Sequence, residues 1–71
     1  MEQFKIFLRD DYIKLGQALK AAGLVENGAD AKAAIQDGEA KVNGEVEYQR
    51  GKKLYEGDEV MFADTLIKIL K

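Results

Sequence analysis

The sequence predicts a small α+β domain in which two short helices pack against a mostly antiparallel sheet. Two early segments, residues 10–22 and 27–37, carry apolar side chains at helical spacing. Shorter segments before and after them alternate apolar with polar residues, which is typical of strands with one buried face. Two of these strand segments are joined by Asn43-Gly44, a dipeptide that fits a two-residue hairpin turn. The expected order of elements is therefore β-α-α-β-β-β-β.

Composition restricts the kinds of protein that this chain could be. Its 71 residues are enough for one domain, residues 1–71, and the apolar content of 46% favours a folded chain over a disordered one. Cysteine and histidine are both absent, so we expect no metal and no cofactor. No apolar run approaches the roughly 20 residues that cross a bilayer. The first residues also lack a secretory pattern, so a cytoplasmic protein without membrane contact is expected.

A strand and then a helix are expected before residue 24. The strand runs from Gln3 to Leu8, and one side of it would carry Phe4, Ile6 and Leu8. Asp10-Asp11 supplies an N-cap for the helix, and Gly23 is placed to end it. Gly16 within the helix would permit close approach of another element. The apolar face of this helix would consist of Tyr12, Leu15, Leu19 and Ala22.

The second helix is expected to begin at an Asn27 N-cap, with Asp30 in its first turn. Gly38 is placed to end it after about nine residues. Its small alanines indicate tight packing against the first helix. The apolar face would consist of Ala31, Ala34 and Ile35.

The rest of the chain is expected to form strands. In the Asn43-Gly44 hairpin, Val42 and Val46 would face inward and Lys41 outward. A turn at 56–58 leads to a strand at 59–63, and a turn at Asp64-Thr65 leads to a last strand at 66–70.

Cations cluster locally although the net charge of the chain is −2. Residues 48–55 contain three cations and no acid. The N-terminus of the second helix would add unpaired N–H groups beside them, and such a surface suits phosphate oxygens. The alternative interpretation is a set of solvated surface lysines. The candidate cations are Lys32, Lys41, Arg50, Lys52 and Lys53.

Two tyrosines flank this cluster. Tyr48 and Tyr55 could stack on unpaired bases, although a tyrosine in a half-buried strand more often belongs to the core. Asn27 and Gly28, at the start of the second helix, are further candidates for secondary contacts.

Paired carboxylates occur at Asp10/Asp11, Asp37/Glu39 and Glu45/Glu47. Caps, turns and exposed strand positions explain each pair without catalysis. No glycine-rich loop of the Walker or Rossmann type is present. We therefore expect a protein that is not an enzyme and has no small-molecule substrate.

An ordered set of motifs resembles the S-four RNA-binding domain. This family, also called the alpha-L motif, is named for ribosomal small-subunit protein four. Small stand-alone bacterial members, the YaaA type, are the most similar, and the motif core covers about residues 12–62. The motifs are 15–20 (LGQALK), 28–32 (GADAK), 42–44 (VNG), 50–55 (RGKKLY) and 57–58 (GD).

The resemblance implies binding of structured RNA, ribosomal RNA in particular, in ribosome assembly or translation. It also implies RNA contacts from Lys32, from Lys41 and from the basic loop with Arg50, Lys52 and Lys53. Many members carry Ser-Arg where this chain has Asn27-Gly28, and an arginine where it has Lys32. Related short proteins often carry another arginine at Gln49, and a valine at Ala40. Fewer arginines imply weaker RNA binding than in the more basic members.

Two other functions fit parts of the sequence. A sulfur carrier of the β-grasp type also contains Val-Asn-Gly-Glu and a later Glu-Gly-Asp-Glu-Val, but such carriers end in Gly-Gly, and no glycine follows Gly57 here. A protein-interaction adaptor would use the acidic remainder of the chain, and its partners would survive nuclease treatment.

Overall fold

The computed structural model describes residues 2–71, in which two helices and seven strands form. Along the chain the elements are β1 (Glu2–Phe7), β2 (Ile13–Lys14), α1 (Leu15–Ala21), α2 (Gly28–Gln36), β3 (Lys41–Val42), β4 (Glu45–Val46), β5 (Lys53–Leu54), β6 (Glu59–Phe62) and β7 (Thr65–Leu70). The predicted order therefore lacked β2 and β5, each only two residues long.

Five strands form one mixed sheet in the order β1-β7-β6-β3-β4. β1 and β7 are parallel, and their register runs from Glu2 opposite Thr65 to Phe7 opposite Leu70. All other neighbours in this sheet are antiparallel. β2 and β5 form a separate antiparallel pair, called here the β2–β5 ribbon. The prediction of a mostly antiparallel sheet with two helices is confirmed.

One core joins both helices to the sheet and to the ribbon. β7 lies within this core, and its residues are alternately buried and half-buried. Each fully buried leucine or isoleucine contributes about 1.5–3 kcal/mol relative to an exposed one. The largest fully buried side chains are Leu15, Leu19, Ile35, Leu54, Val60, Ile67 and Ile69.

The second helix forms where the sequence predicts it. The Asn27 side chain caps it by accepting a hydrogen bond from the Asp30 amide at 2.9 Å. Ala31 is buried and lies close to Gly16 of α1, since a Cβ placed on that glycine would be 3.8 Å from the Ala31 Cβ. After nine residues the helix ends, and Gly38 follows in a left-handed conformation with φ of +79°. The predicted close approach at Gly16 is confirmed.

The first helix begins later than predicted. The Asp10-Asp11 cap was wrong, since α1 starts at Leu15 and Tyr12 lies outside it. Residues 13–14 instead pair with residues 53–54 in the β2–β5 ribbon. The amides of Leu15 and Gly16 donate to the carbonyls of Lys52 and Arg50, at 2.9 and 3.0 Å. Because a distant loop satisfies these donors, the helix start needs no local acidic cap.

The hairpin turn forms as predicted, with positive φ at both Asn43 (51°) and Gly44 (88°). The inward position of Val46 was wrong, because this side chain is 40% exposed. A two-residue turn pairs Val42 with Glu45 and Lys41 with Val46. Val46 therefore shares the outward face of Lys41, while Val42 is buried.

The first and last strands differ slightly from the prediction. Of the three residues expected on the inner side of the first strand, Ile6 is buried and Leu8 half-buried, but Phe4 is exposed. β1 lies at the edge of the sheet, which leaves its first residues uncovered. The last turn is at Ala63-Asp64, both with positive φ, so β6 ends at Phe62.

Candidate functional site

A basic loop, residues 49–53, is fixed against the start of α1. Within the loop, the Lys52 amide donates to the Gln49 carbonyl at 3.2 Å. The loop also accepts the two hydrogen bonds from the first amides of α1. The carbonyls of Gln49, Arg50 and Lys52 therefore take part in the fold. The three cationic side chains of the loop are exposed.

Arg50 lies where the two helices come together. A Cβ placed on Gly16 would be 3.5 Å from the Arg50 Cβ, and one placed on Gly28 would be 3.9 Å from its Nη1 atom. The guanidinium group thus reaches the first turn of α2, as the sequence predicts for a cation beside that helix N-terminus.

A shallow cleft of about 280 Å³ opens around Arg50. Among residues 2–71, three cations and no carboxylate line it. Glycines bring the backbones of both helices and of the basic loop to its surface. We call it the basic cleft. Its lining residues are Lys14, Gly16, Gln17, Lys20, Gly28, Ala31, Arg50 and Gly51.

Two further candidate residues lie near this cleft, one on α2 and one at its N-cap. Lys32 is exposed and is four residues beyond Gly28, so both are on one face of the helix. Asn27 precedes Gly28, but its side-chain oxygen is already used to cap the helix. The side-chain amide nitrogen of Asn27 is therefore the atom that can donate a hydrogen bond to a ligand.

Lys52 and Lys53 lie in a different depression, next to the β3–β4 hairpin. This groove also contains Glu45, Glu47 and Asp58, so its charge is mixed. Neither lysine forms an ion pair, since the single pair within residues 2–71 joins the Lys71 Nζ to the Asp11 carboxylate at 3.4 Å. The basic loop therefore contributes cations to two neighbouring depressions.

Lys41 and Tyr48 lie outside the basic cleft. Lys41 is on β3, opposite Met61 and Val46, and lines neither depression. Tyr48 packs over Gly38, where an added Cβ would be 3.3 Å from the tyrosine Cε1 atom. Gly38 follows the C-terminal end of α2, about 13 Å along the helix from its first turn. The structure does not bring these two residues together with Arg50.

Tyr55 contacts a second tyrosine that sequence reasoning placed in a helix. The ring centroids of Tyr55 and Tyr12 are 6.0 Å apart, and the rings are inclined by 55°. The Lys53 Nζ lies 4.9 Å from the centroid of the Tyr12 ring, in a cation–π contact.

Sequence reasoning also missed two cations of the basic cleft, Lys14 and Lys20. Lys20 could have been found, because it is four residues beyond Gly16 and so shares its helix face. Lys14 could not be placed while residues 10–22 were read as one helix.

Within residues 2–71 no three carboxylates come together to hold a metal ion. The Asp58 carboxylate accepts hydrogen bonds from the Tyr55 amide at 2.8 Å and from the Asn43 side chain at 3.1 Å, which is a structural task. The arrangement is instead one that can hold anions at a surface. In that same part of the chain neither helix is long and apolar enough to cross a membrane.

Comparison with known proteins identifies related chains. A family model described as S4 domain matches residues 5–70. An Escherichia coli protein named "Putative RNA-binding protein YbcJ" is 37% identical over 59 residues, which are 83% of this chain and 84% of YbcJ. A Bacillus subtilis protein named "Probable ribosome maturation protein RlbA" is 42% identical over 55 residues, 78% of each chain.

The solution structure of YbcJ has a similar fold. Superposition gives a TM-score of 0.69 at 34% identity, and covers 100% of this chain and 89% of YbcJ. That structure is described as an alpha-L motif involved in RNA binding. The predicted fold and the predicted family are both confirmed, and the β-grasp sulfur carrier is set aside.

Proposed function

Because this chain belongs to the S4-domain family, we propose that it binds structured RNA, ribosomal RNA in particular, through phosphate contacts at the basic cleft and the basic loop. It acts by binding alone and takes part in ribosome assembly. The observation that carries this proposal is the basic cleft itself, where Arg50 lies beside Gly28 and Lys14 and Lys20 line the same cleft.

The chemistry of the cleft supports phosphate as the bound group. Arg50 offers a planar pair of donors, which matches two phosphate oxygens, and the lysines add point charges. The first turn of α2 contributes unpaired N–H groups at the same place. No carboxylate lines the cleft to compete for these cations.

The relatives support RNA as the source of that phosphate. YbcJ is named as an RNA-binding protein, and RlbA is named for ribosome maturation. With a net charge of −2, this chain is not a general binder of polyanions, so binding depends on the local patch.

The test is a fluorescence titration of a structured ribosomal RNA fragment with the wild type and with Arg50→Glu/Lys52→Glu/Lys53→Glu. Reversal of three charges should abolish binding while the circular dichroism spectrum stays unchanged, because all three side chains are exposed. If about four phosphates are engaged, raising the salt from about 50 to 200 mM should weaken wild-type binding on the order of 100-fold. Unchanged affinity of the variant would reject this face.

The ribosomal part of the proposal needs a separate test. Crosslinking in cells, followed by sequencing of the attached RNA, should recover mainly ribosomal fragments with the wild type and few with the triple variant. Recovery dominated by messenger or transfer RNA would reject ribosomal RNA as the target.

A further inference from the structure

The β2–β5 ribbon has one face in the core and one face outside it. Ile13 is opposite Leu54, and both pack into the core. Lys14 is opposite Lys53, and both are exposed. Because side chains alternate along a strand, the next residues in this register, Tyr12 and Tyr55, belong with the lysines on the outer face.

The outer face therefore combines two aromatic rings with two cations. Tyr12 is 38% exposed and Tyr55 is 49% exposed, so a large part of both rings remains uncovered. Their tilted contact and the position of Lys53 over Tyr12 fix the rings in place. The Tyr55 ring, the more exposed of the two, is open to a further stacking partner.

The two lysines and two rings of this face favour a negatively charged ligand with a flat group, although the surrounding charge is mixed. None of its four side chains is a carboxylate. The neighbouring Asp11 is paired with Lys71, and Asp58 is bonded to the Tyr55 amide and to Asn43. Asp10 also lies beside Tyr12, in a depression to which Arg9, Lys14 and Lys71 contribute three cations. Lys53 and Tyr55 also line the groove beside the β3–β4 hairpin, which contains Glu45 and Glu47.

The ribbon face is continuous with the proposed phosphate site. Lys14 belongs to the ribbon and also lines the basic cleft beside Arg50. Lys53 belongs to the ribbon and is the last residue of the basic loop. An RNA whose phosphates lie in the basic cleft would therefore extend its next nucleotides over the two tyrosines.

We propose that the outer face of the β2–β5 ribbon binds an unpaired base next to a helical RNA element, with the base stacked on Tyr55 against Tyr12 and its phosphate held by Lys14 and Lys53. This inference rests on the proposed function and narrows the ligand to RNA with a bulged or looped nucleotide. Stacking on tyrosine requires a base outside the duplex, and it is tolerant of base identity.

Two RNA hairpins of equal length provide the test. One carries a single bulged 2-aminopurine, and the other is fully paired. The wild type should bind the bulged hairpin about 10-fold more tightly and should quench the 2-aminopurine fluorescence. The double variant Tyr12→Leu/Tyr55→Leu should lose the preference and the quenching but keep its affinity for the paired hairpin.

Two controls separate stacking from folding. Tyr12→Phe/Tyr55→Phe keeps both rings and should keep the preference. Phe4→Leu removes a ring that is 38% exposed on β1, outside the ribbon, and should change nothing. These variants also show whether loss of an exposed ring by itself harms the fold.

Each outcome decides a different statement. Equal binding of both hairpins by the wild type, without quenching, would overturn the stacking site and leave the proposed function standing. Retained preference in the folded leucine variant would also overturn it. No binding of either hairpin, or of the ribosomal fragment, would overturn the proposed function and this inference together.

Discussion

At the scale of single residues, Arg50 lies beside two glycines, one in each helix. Gly16 and Gly28 present no side chains, so the arginine can lie across the junction of the two helices. A glycine inside α1 costs about 1 kcal/mol in helix propensity relative to alanine, and the space at Gly16 would admit a methyl group but no larger side chain without moving Arg50. The sequence predicted the close approach at Gly16, and the structure identifies its partner.

Substitutions at Gly16 should separate stability from binding. An alanine Cβ would lie 3.5 Å from the Arg50 Cβ, an ordinary contact, so Gly16→Ala should raise or preserve stability and change RNA affinity less than about 2-fold. Gly16→Leu should displace Arg50 and weaken RNA binding about 10-fold or more, because its longer side chain must enter the cleft. Urea denaturation and RNA titration measure the two effects. Equal RNA affinity of both variants would show that Arg50 does not need this junction.

At the scale of elements, the two helices begin in different ways. The start of α2 is local, since the Asn27 side chain bonds an amide three residues away, and the sequence predicted it correctly. The start of α1 has one local bond, from the Lys14 amide to the Gln17 side chain, but its first two helical amides donate to carbonyls about 35 residues later in the chain. No local pattern reports such contacts, so the predicted helix was too long, and the ribbon and its Lys14 were missed.

A matched pair of substitutions tests this difference. Asn27→Ala should lower the free energy of unfolding by about 1 kcal/mol through loss of its cap. Asp10→Ala should change it by less than about 0.5 kcal/mol, because Asp10 caps no helix. Urea denaturation at neutral pH measures both. A loss at Asp10 as large as that at Asn27 would contradict the observed start of α1.

At the scale of the whole molecule, cations are concentrated in one cleft although the net charge of the chain is slightly negative. The fold brings Lys14 and Lys20 from one part of the chain and Arg50 from another to one cleft. The sequence indicated the basic loop and the α2 start, because both are short continuous segments. It could not give the membership of the cleft, because that depends on how α1 meets the loop. Lys41 and Tyr48 illustrate the opposite case, since they are near the loop in sequence but outside the cleft.

The most direct test of this account compares two equal losses of charge. Lys20→Gln/Arg50→Gln removes two cations from the basic cleft. Lys5→Gln/Lys68→Gln removes two that lie opposite each other on β1 and β7, outside the cleft. Filter binding to the ribosomal RNA fragment at about 0.1 M salt should show a 10- to 100-fold loss for the first variant, and a salt slope shallower by about 2. The second variant should bind within about 2-fold of the wild type, and equal losses for the two variants would contradict a localised site.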